Sequence, residues 1–356
     1  MRKIIYFIIF LSLFSCCVNK KKKINEIFQQ SSSLEHKKTI DDKTYLIASA
    51  GKMLIVDSIL IALDYSAQPI LHLFDIKNNI YINGMGEKGQ GPNEFLHPAS
   101  LIHFSTNSFL IYDLLDNTLK KIWLDSLMTG NVFYEKIMNF NSISNSFVFP
   151  TAYDNYIAFG LYESNMFKLI DQHNNDIGYF ADFPIKSKEE KKIDHRNIAL
   201  AYQGTLNISP DKKKIVYVSY YGTIIGIYDI QSSLINQKFL LVCDYPMYTV
   251  QNEGSGMSSP ITKEGISAFR DVYVTDKYIY SLYSGNKISE LRERAFEAKD
   301  IYVFDWEGNP VTHYHLDVPV NNIAVLPNDR KIYAISNLPD PTMIEFEIDL
   351  QNDKSI

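Results

Sequence analysis

The sequence predicts an all-β fold, a six-bladed β-propeller. An aliphatic or aromatic run that ends in Asp and enters a polar turn recurs six times, at Asp75, Asp125, Asp171, Asp229, Asp305 and Asp349. Successive copies lie 50, 46, 58, 76 and 44 residues apart. A period near about fifty residues is that of four-stranded blades set around an axis. The composition agrees: 46% of the residues are hydrophobic and 13% aromatic, with 24 Tyr and 21 Phe, enough for a β-rich core.

Taken in order, residues 1–15 read as a signal peptide. "MRK" is a basic start, and "IIYFIIFLSLF" is an apolar stretch too short to span a bilayer, which needs roughly 20 residues. Leu13, Ser15 and Cys16 in "LFSCC" resemble a bacterial lipoprotein signal, cleaved before Cys16, which is then acylated. Residues 16–40 are rich in Lys, Ser and Gln and read as a flexible tether, with Lys20 to Lys23 beside the anchor and near lipid headgroups. The propeller is expected over residues 41–356.

Each Asp-ended run is preceded by a strand-like partner: "ILIALDY", "SFLIYDL", "YIAFGLY", "KIVYVSYY", "YIYSLYSG" and "KIYAIS". The pairs read as the second and third strands of six blades. Asp at the end of a strand favours a turn because its carboxylate accepts backbone N–H bonds, so these acids read as structural. The chain stops soon after the sixth third-strand. "TYLIASA", residues 44–50, is left over at the front, and is expected to supply the missing outer strand and close the ring. "SELRERAFEAK" (289–299) reads as a short helix inserted in blade five, with Leu291, Ala295 and Ala298 turned to the ring. "KSKEEKKIDHR" (186–196) reads as a solvated charged loop.

"GMGEKGQGPNEF" (84–95) contains G-x-G-x-x-G at Gly84, Gly86 and Gly89. A dinucleotide loop needs the third glycine to open a helix. Here Pro92, Asn93 and Pro98 oppose one, and no Gly-Lys-Ser/Thr follows. Glycines at this point instead suit a chain crossing from the rim of one blade to the axis of the next, turning sharply at both ends. "GMGEKGQGPNEFLHPASL" resembles the G-x-x-G-x-G-P-x-E-F-x-x-P link of TolB-like six-bladed propeller lipoproteins of Bacteroidota, relatives of NHL-type propellers. Asn93 stands where that family often has Gly. "LYSGN" and "IYVFDWEGNPVTHYHLD" extend the likeness to nearly the whole chain. It implies the fold and export, and transfers no catalytic residue.

Chemistry beyond the fold is sparse. The net charge is −6, and Arg2, Lys3 and Lys20 to Lys23 precede an acidic body without a basic stripe, so nucleic acid is not an expected partner. Cys16, Cys17 and Cys243 allow no disulfide framework or cysteine metal cluster, and Cys243 in "FLLVCDY" reads as a buried thiol. His313 and His315 share a strand face but read as ordinary rim residues. No cofactor or metal is expected, and no G-x-S-x-G occurs.

The leading expectation is a monomeric envelope lipoprotein, held in the outer membrane and facing the periplasm, whose propeller binds a protein, peptide or glycan. The alternative is a propeller hydrolase, lactonase or lyase, calcium-dependent in one version. A third reading, a subunit of an envelope transport complex, rests on the analogy with TolB alone. Loops from fourth to first strands and from second to third strands share one face, and the long ones fall there. The ligand is expected at that face near the axis, on His97, Arg196, Tyr202, Gln203, Tyr220, Tyr221, Arg270 and Tyr283. Arginine offers forked hydrogen bonds, and tyrosine an apolar ring with a hydroxyl.

Overall fold

Alternating apolar runs become blades because each strand buries one or both faces against the neighbouring blade. The computed structural model describes residues 23–40, 47, 49–65, 68–91, 93–130, 133–253, 256–337 and 341–350. The signal peptide, Cys16 and Cys17 lie outside them. Two short strands come first, β1 (Ser31–Leu34) and β2 (Lys37–Lys38). Blade one is β3 (Ala50–Val56), β4 (Ile59–Asp64), β5 (Leu71–Asp75) and β6 (Ile80–Met85). Blade two is β7 (Pro98–Ser105), β8 (Ser108–Asp113), β9 (Thr118–Trp123) and β10 (Tyr134–Asn139), with helix α1 (Leu124–Met128) before its last strand. Blade three is β11 (Asn145–Pro150), β12 (Asn155–Gly160), β13 (Phe167–Asp171) and β14 (Asp176–Phe180).

Helix α2 (His195–Ala201) leads into blade four: β15 (Gly204–Ile208), β16 (Lys214–Ser219), β17 (Ile224–Ile230) and β18 (Ile235–Val242). A hairpin, β19 (Gln251–Glu253) and β20 (Gly256–Ser258), precedes blade five. That blade is β21 (Ile266–Val274), β22 (Tyr278–Lys287), β23 (Ala298–Asp305) and β24 (Pro310–Val320). Helix α3 (Ile288–Leu291) and a 3-10 turn (Arg292–Phe296) are inserted after β22. Ala295 and Ala298 are buried by the ring, as expected, while Leu291 is exposed. Blade six is β25 (Asn322–Val325), β26 (Lys331–Ser336), β27 (Thr342–Glu347) and, from the other end of the chain, β2.

An N-terminal strand therefore closes the ring, but not the expected one. Lys37 and Lys38 pair antiparallel with Glu345 and Ile344 of β27, and Lys37 Nζ reaches Glu347 at 2.8 Å. Residues 44–46 and 48 lie outside the described residues, and Ala50 already opens β3, the innermost strand of blade one. The apolar 53–56 stretch is buried in that innermost strand. An outer strand on the rim is exposed and needs no apolar side chains, which is why "KK" serves there.

The described part of residues 16–40 is likewise not a loose tether. Ile24 and Ile40 are buried, and Phe28 packs on Tyr302 and Phe304 with ring centroids 5.1 Å from each. β1 runs parallel to β24 as a fifth strand of blade five, Ser31 opposite His313. His313 and His315 do not simply face solvent. Both bond Asp300 Oδ1, at 2.7 and 3.0 Å, and Ser31 Oγ lies 3.2 Å from His313 Nδ1. Despite burial, these two partners hold the Asp300 carboxyl below its usual value.

The repeated acids are turn-formers where the structure shows their bonds. Asp75 accepts from the Lys77 and Asn78 amides, Asp171 from His173 and Asn175, and Asp305 from Glu307 and Asn309, all at 2.8–3.0 Å. The glycine-rich stretch also serves the fold. It runs straight into β7, with no helix to receive a phosphate. Gly86 (φ +83°) and Asn93 (φ +67°) are left-handed, so Asn93 fills the role of a glycine. The Glu94 carboxylate folds back on the loop and accepts the Gly91 amide at 2.7 Å. A Cβ on Gly89 would sit 2.0 Å from Glu94 Oε2. Phe95 is fully buried, and Lys120, paired with Asp113 at 2.7 Å, lies over its ring.

Candidate functional site

The six inner strands β3, β7, β11, β15, β21 and β25 surround the axis. Because strands alternate within a blade, α2, the β19–β20 hairpin and the α3 insertion all emerge on the face where inner strands begin. The opposite face has mostly short turns, with α1 as an exception.

At the axis the ring is crossed by a buried ion pair. Lys52, the third residue of β3, bonds Thr205 Oγ1 and Asp271 Oδ1, each at 2.5 Å. Asp271 is 1% exposed; its Oδ1 also accepts the Val272 amide and its Oδ2 the Ile323 amide, at 2.9 and 3.1 Å. Blades one, four, five and six are thereby joined through one ammonium and one carboxylate. Burying these charges is tolerable because each is both paired and hydrogen-bonded.

On the long-loop side of this crossing, aromatic rings form a funnel. The Tyr65 ring lies flat on Gly51, where an added Cβ would come within 2.6 Å of it, and stacks with His97 at 5.9 Å and 14°. Across the axis stands Tyr220, beside the Thr205 hydroxyl; burial pushes its phenol up to about 12, a shift that the Arg270 charge opposes. The Arg270 guanidinium lies 5.6 Å from the Tyr220 ring centroid and 5.0 Å from that of Phe296. Such cation–π contacts fix its plane and leave its N–H edges to other acceptors. Among the described residues no carboxylate forms an ion pair with Arg270.

Of the eight residues expected at the ligand site, His97, Tyr220, Tyr221 and Arg270 border this funnel, Tyr221 by packing edge-on against Tyr220 at 6.3 Å. Gln203 lies at its edge, its carbonyl accepting the Tyr220 amide while its side chain bonds Leu200 O. The other three serve structure. Tyr202 is fully buried with its hydroxyl on Glu190 at 3.1 Å, and burial with that carboxylate pushes its phenol far up. Tyr283 is wedged between blades four and five, bonded to Thr223 Oγ1 at 3.0 Å and packed on Phe269 and Tyr302. Arg196 folds back on Asp194, 3.2 Å away, at the start of α2. The 186–196 loop is not wholly solvated either: Glu190 is buried between Tyr202 and Tyr248.

Sequence reasoning missed Tyr65, Phe296, Lys52, Thr205 and Asp271. Tyr65 had a signal, since it follows the second strand of blade one on the favoured face. The axial trio had none, because strand alternation alone does not say which inner-strand side chains reach the axis.

Among the described residues no group of three His, Cys, Asp or Glu side chains is placed to share a metal ion. Beyond the ion pair, towards the other face, the axis widens into a cavity of about 330 Å³.

Solved structures share this architecture at low identity. An exported protein of Bacteroides fragilis, so described with reservation, matches with a TM-score of 0.54 at 15% identity, covering 92% of this chain and 96% of its own. A DUF4221 family member from Bacteroides vulgatus matches at 0.54 and 12% identity, covering 89% and 96%. A calcium-binding protein, regucalcin, from Agrobacterium tumefaciens matches at 0.50 and 11% identity, covering 90% and 95%. These identities speak for the fold alone. No curated protein matches the sequence. The sequence model of the TolB-like 6-blade propeller-like family matches residues 27–328, which cover blades one to five with β2 and β25 of blade six, and the chain belongs to that family.

Proposed function

We propose that this propeller is an exported, lipid-anchored binding module whose ligand enters the aromatic funnel on the long-loop face. The observation that carries the reading is Arg270, held between Tyr220 and Phe296 without a carboxylate partner among the described residues. A guanidinium so fixed favours a carboxylate, and the surrounding rings favour the flat faces of a sugar or peptide. The ligand class is therefore an acidic glycan or a peptide with a free carboxylate. The experiment is fluorescence-anisotropy titration with labelled uronic-acid oligosaccharides and carboxylate-ended peptides. Arg270→Ala should weaken binding by about tenfold or more, the worth of a charge-assisted hydrogen bond. Binding that ignores Arg270→Ala and Tyr220→Ala, yet falls with changes in the short turns opposite, would defeat the proposal.

Anchoring rests on Leu13, Ser15 and Cys16 after the apolar leader. The described residues contain no helix long and apolar enough to cross a membrane. Mass spectrometry of the membrane-extracted chain should find an acylated Cys16 at its N-terminus; an unmodified soluble product sinks the anchor. We place it in the outer membrane facing the periplasm, as a monomer, since the lysines after Cys17 do not resemble an acidic surface-export signal. The calcium-dependent hydrolase reading is the weaker one. The axial carboxylate that a divalent ion would engage is bonded to the Lys52 ammonium.

A further inference from the structure

The cavity on the far side of the Lys52–Asp271 crossing is separate from the aromatic funnel. Its walls are Leu54, Leu101, Phe149, Leu206, Tyr273 and Val325. Its volume of about 330 Å³ falls at the lower end of the roughly 300–1,000 Å³ of small-molecule pockets. Lys52 and Asp271 close its inner end, and it opens among the short turns where the inner strands finish. From Thr205 beside the closed end to Ser209 at the mouth is about 13 Å, at roughly 3.3 Å per strand residue.

At the inner end a buried hydroxyl lacks a partner, and at the mouth a lysine lacks a counter-ion, among the described residues. Ser100 lines the cavity, is 3% exposed, and its hydroxyl has no hydrogen-bond partner among the described residues. An unsatisfied buried hydroxyl costs about 1–3 kcal/mol, which a ligand atom would relieve. At the mouth, partial desolvation and then the nearby Lys212 charge disfavour protonation of His103, which is exposed. Partial burial also disfavours the charge of Lys212. Neither has an ion-pair partner among the described residues. Lys212 Nζ instead lies 4.7 Å from the ring centroid of Phe104, an exposed aromatic beside the opening. Asp276 also borders the cavity, on the blade-five side beside Asp329, and forms no ion pair with Lys212.

We propose that this chamber binds a medium-chain carboxylic acid, with the aliphatic tail between the inner strands and the carboxylate at Lys212 and His103. The apolar walls take the tail, the depth suits a chain of medium length, and an anion at the mouth supplies the counter-charge that Lys212 lacks, with the His103 imidazole as an N–H donor beside it. A neutral alcohol of equal length satisfies the walls but not the mouth, and an amine is repelled there.

The test is calorimetric titration of the exported chain carrying Cys16→Ser, which keeps every described residue, with octanoate, octan-1-ol and octylamine. Octanoate should bind one to one, octan-1-ol about tenfold more weakly, and octylamine without measurable heat. Lys212→Asn removes the charge yet suits the left-handed turn, since Lys212 has φ +59°. It should weaken octanoate about tenfold and leave octan-1-ol unchanged. Leu101→Phe fills the chamber and should abolish both. If that variant does not fold, nuclear Overhauser contacts from octanoate to the Leu101 and Val325 methyl groups of the unmutated protein locate the tail. Absence of octanoate binding, equal affinity for the amine, or indifference to Lys212→Asn would each overturn the proposal.

Discussion

Asn93 and Gly89 show how a sequence motif reads once its backbone is known. Asn93 sits in the left-handed region, which asparagine tolerates and glycine enters freely. Gly89 has an ordinary conformation, and its constraint is space, because the Glu94 carboxylate lies where its side chain would be. The two positions should respond differently to the smallest changes. Asn93→Gly should alter stability by only a few tenths of a kcal/mol, whereas Gly89→Ala should cost about 1–3 kcal/mol by displacing Glu94 from the Gly91 amide. In the combined Gly89→Ala/Glu94→Ala chain the alanine at 89 no longer clashes, so the two losses should fall short of additive. Urea unfolding measures these chains together with Glu94→Ala and the unmutated protein; strictly additive losses would mean that the Glu94 contact does not explain the glycine. The same stretch matches a nucleotide fingerprint by spacing, yet Gly89, with Gly91 beside it, makes room for a carboxylate of its own chain.

At the scale of elements, legibility follows burial. The second and third strands of every blade are buried on both sides, so they stand out as apolar runs. β1 and β2 are rim strands with exposed side chains, held by backbone pairing to β24 and β27, and "SSSL" and "KK" carry no periodic signal. The reading that a front strand closes the ring was right in kind and displaced in sequence for that reason. Site residues divide similarly. Tyr220 and Arg270 were legible from loop position. Lys52 and Asp271 were not, because register shifts between Ala50 and Met53, and between Phe269 and Asp271, break the alternation that would aim them. Removing residues 1–22 should leave the melting temperature unchanged. Removing residues 1–38 uncovers the edge of β27 and strips Ile24 and Phe28 from the ring, and should lower it by several degrees and promote association. Equal melting of the two truncations, measured calorimetrically, would refute closure by β2.

For the whole molecule, the decisive feature is that a ring of blades stacked side by side also has polar contacts across its middle, the Lys52–Asp271 pair foremost. Neighbouring blades hold each other through apolar faces, and such contacts give no special reason for blades one and four to keep their distance. Lys52 spans that gap, bonding Thr205 on blade four and Asp271 on blade five, while Asp271 also accepts the Ile323 amide of blade six. The pair also separates the aromatic funnel from the chamber below. Its energetic logic gives a sharp expectation. Lys52→Met leaves Asp271 buried and unpaired, and should cost about 3–5 kcal/mol. Asp271→Asn strands an ammonium that is itself mostly covered, and should cost less, since Lys52 retains more access to water. The double variant Lys52→Met/Asp271→Asn removes both charges while the amide oxygen still accepts a backbone N–H. It should recover most of the loss, giving a coupling of about 2 kcal/mol or more in a double-mutant cycle read by urea unfolding. A cycle that closes without coupling would show that the ring keeps its shape without the charge pair, and that the crossing pair is incidental to it.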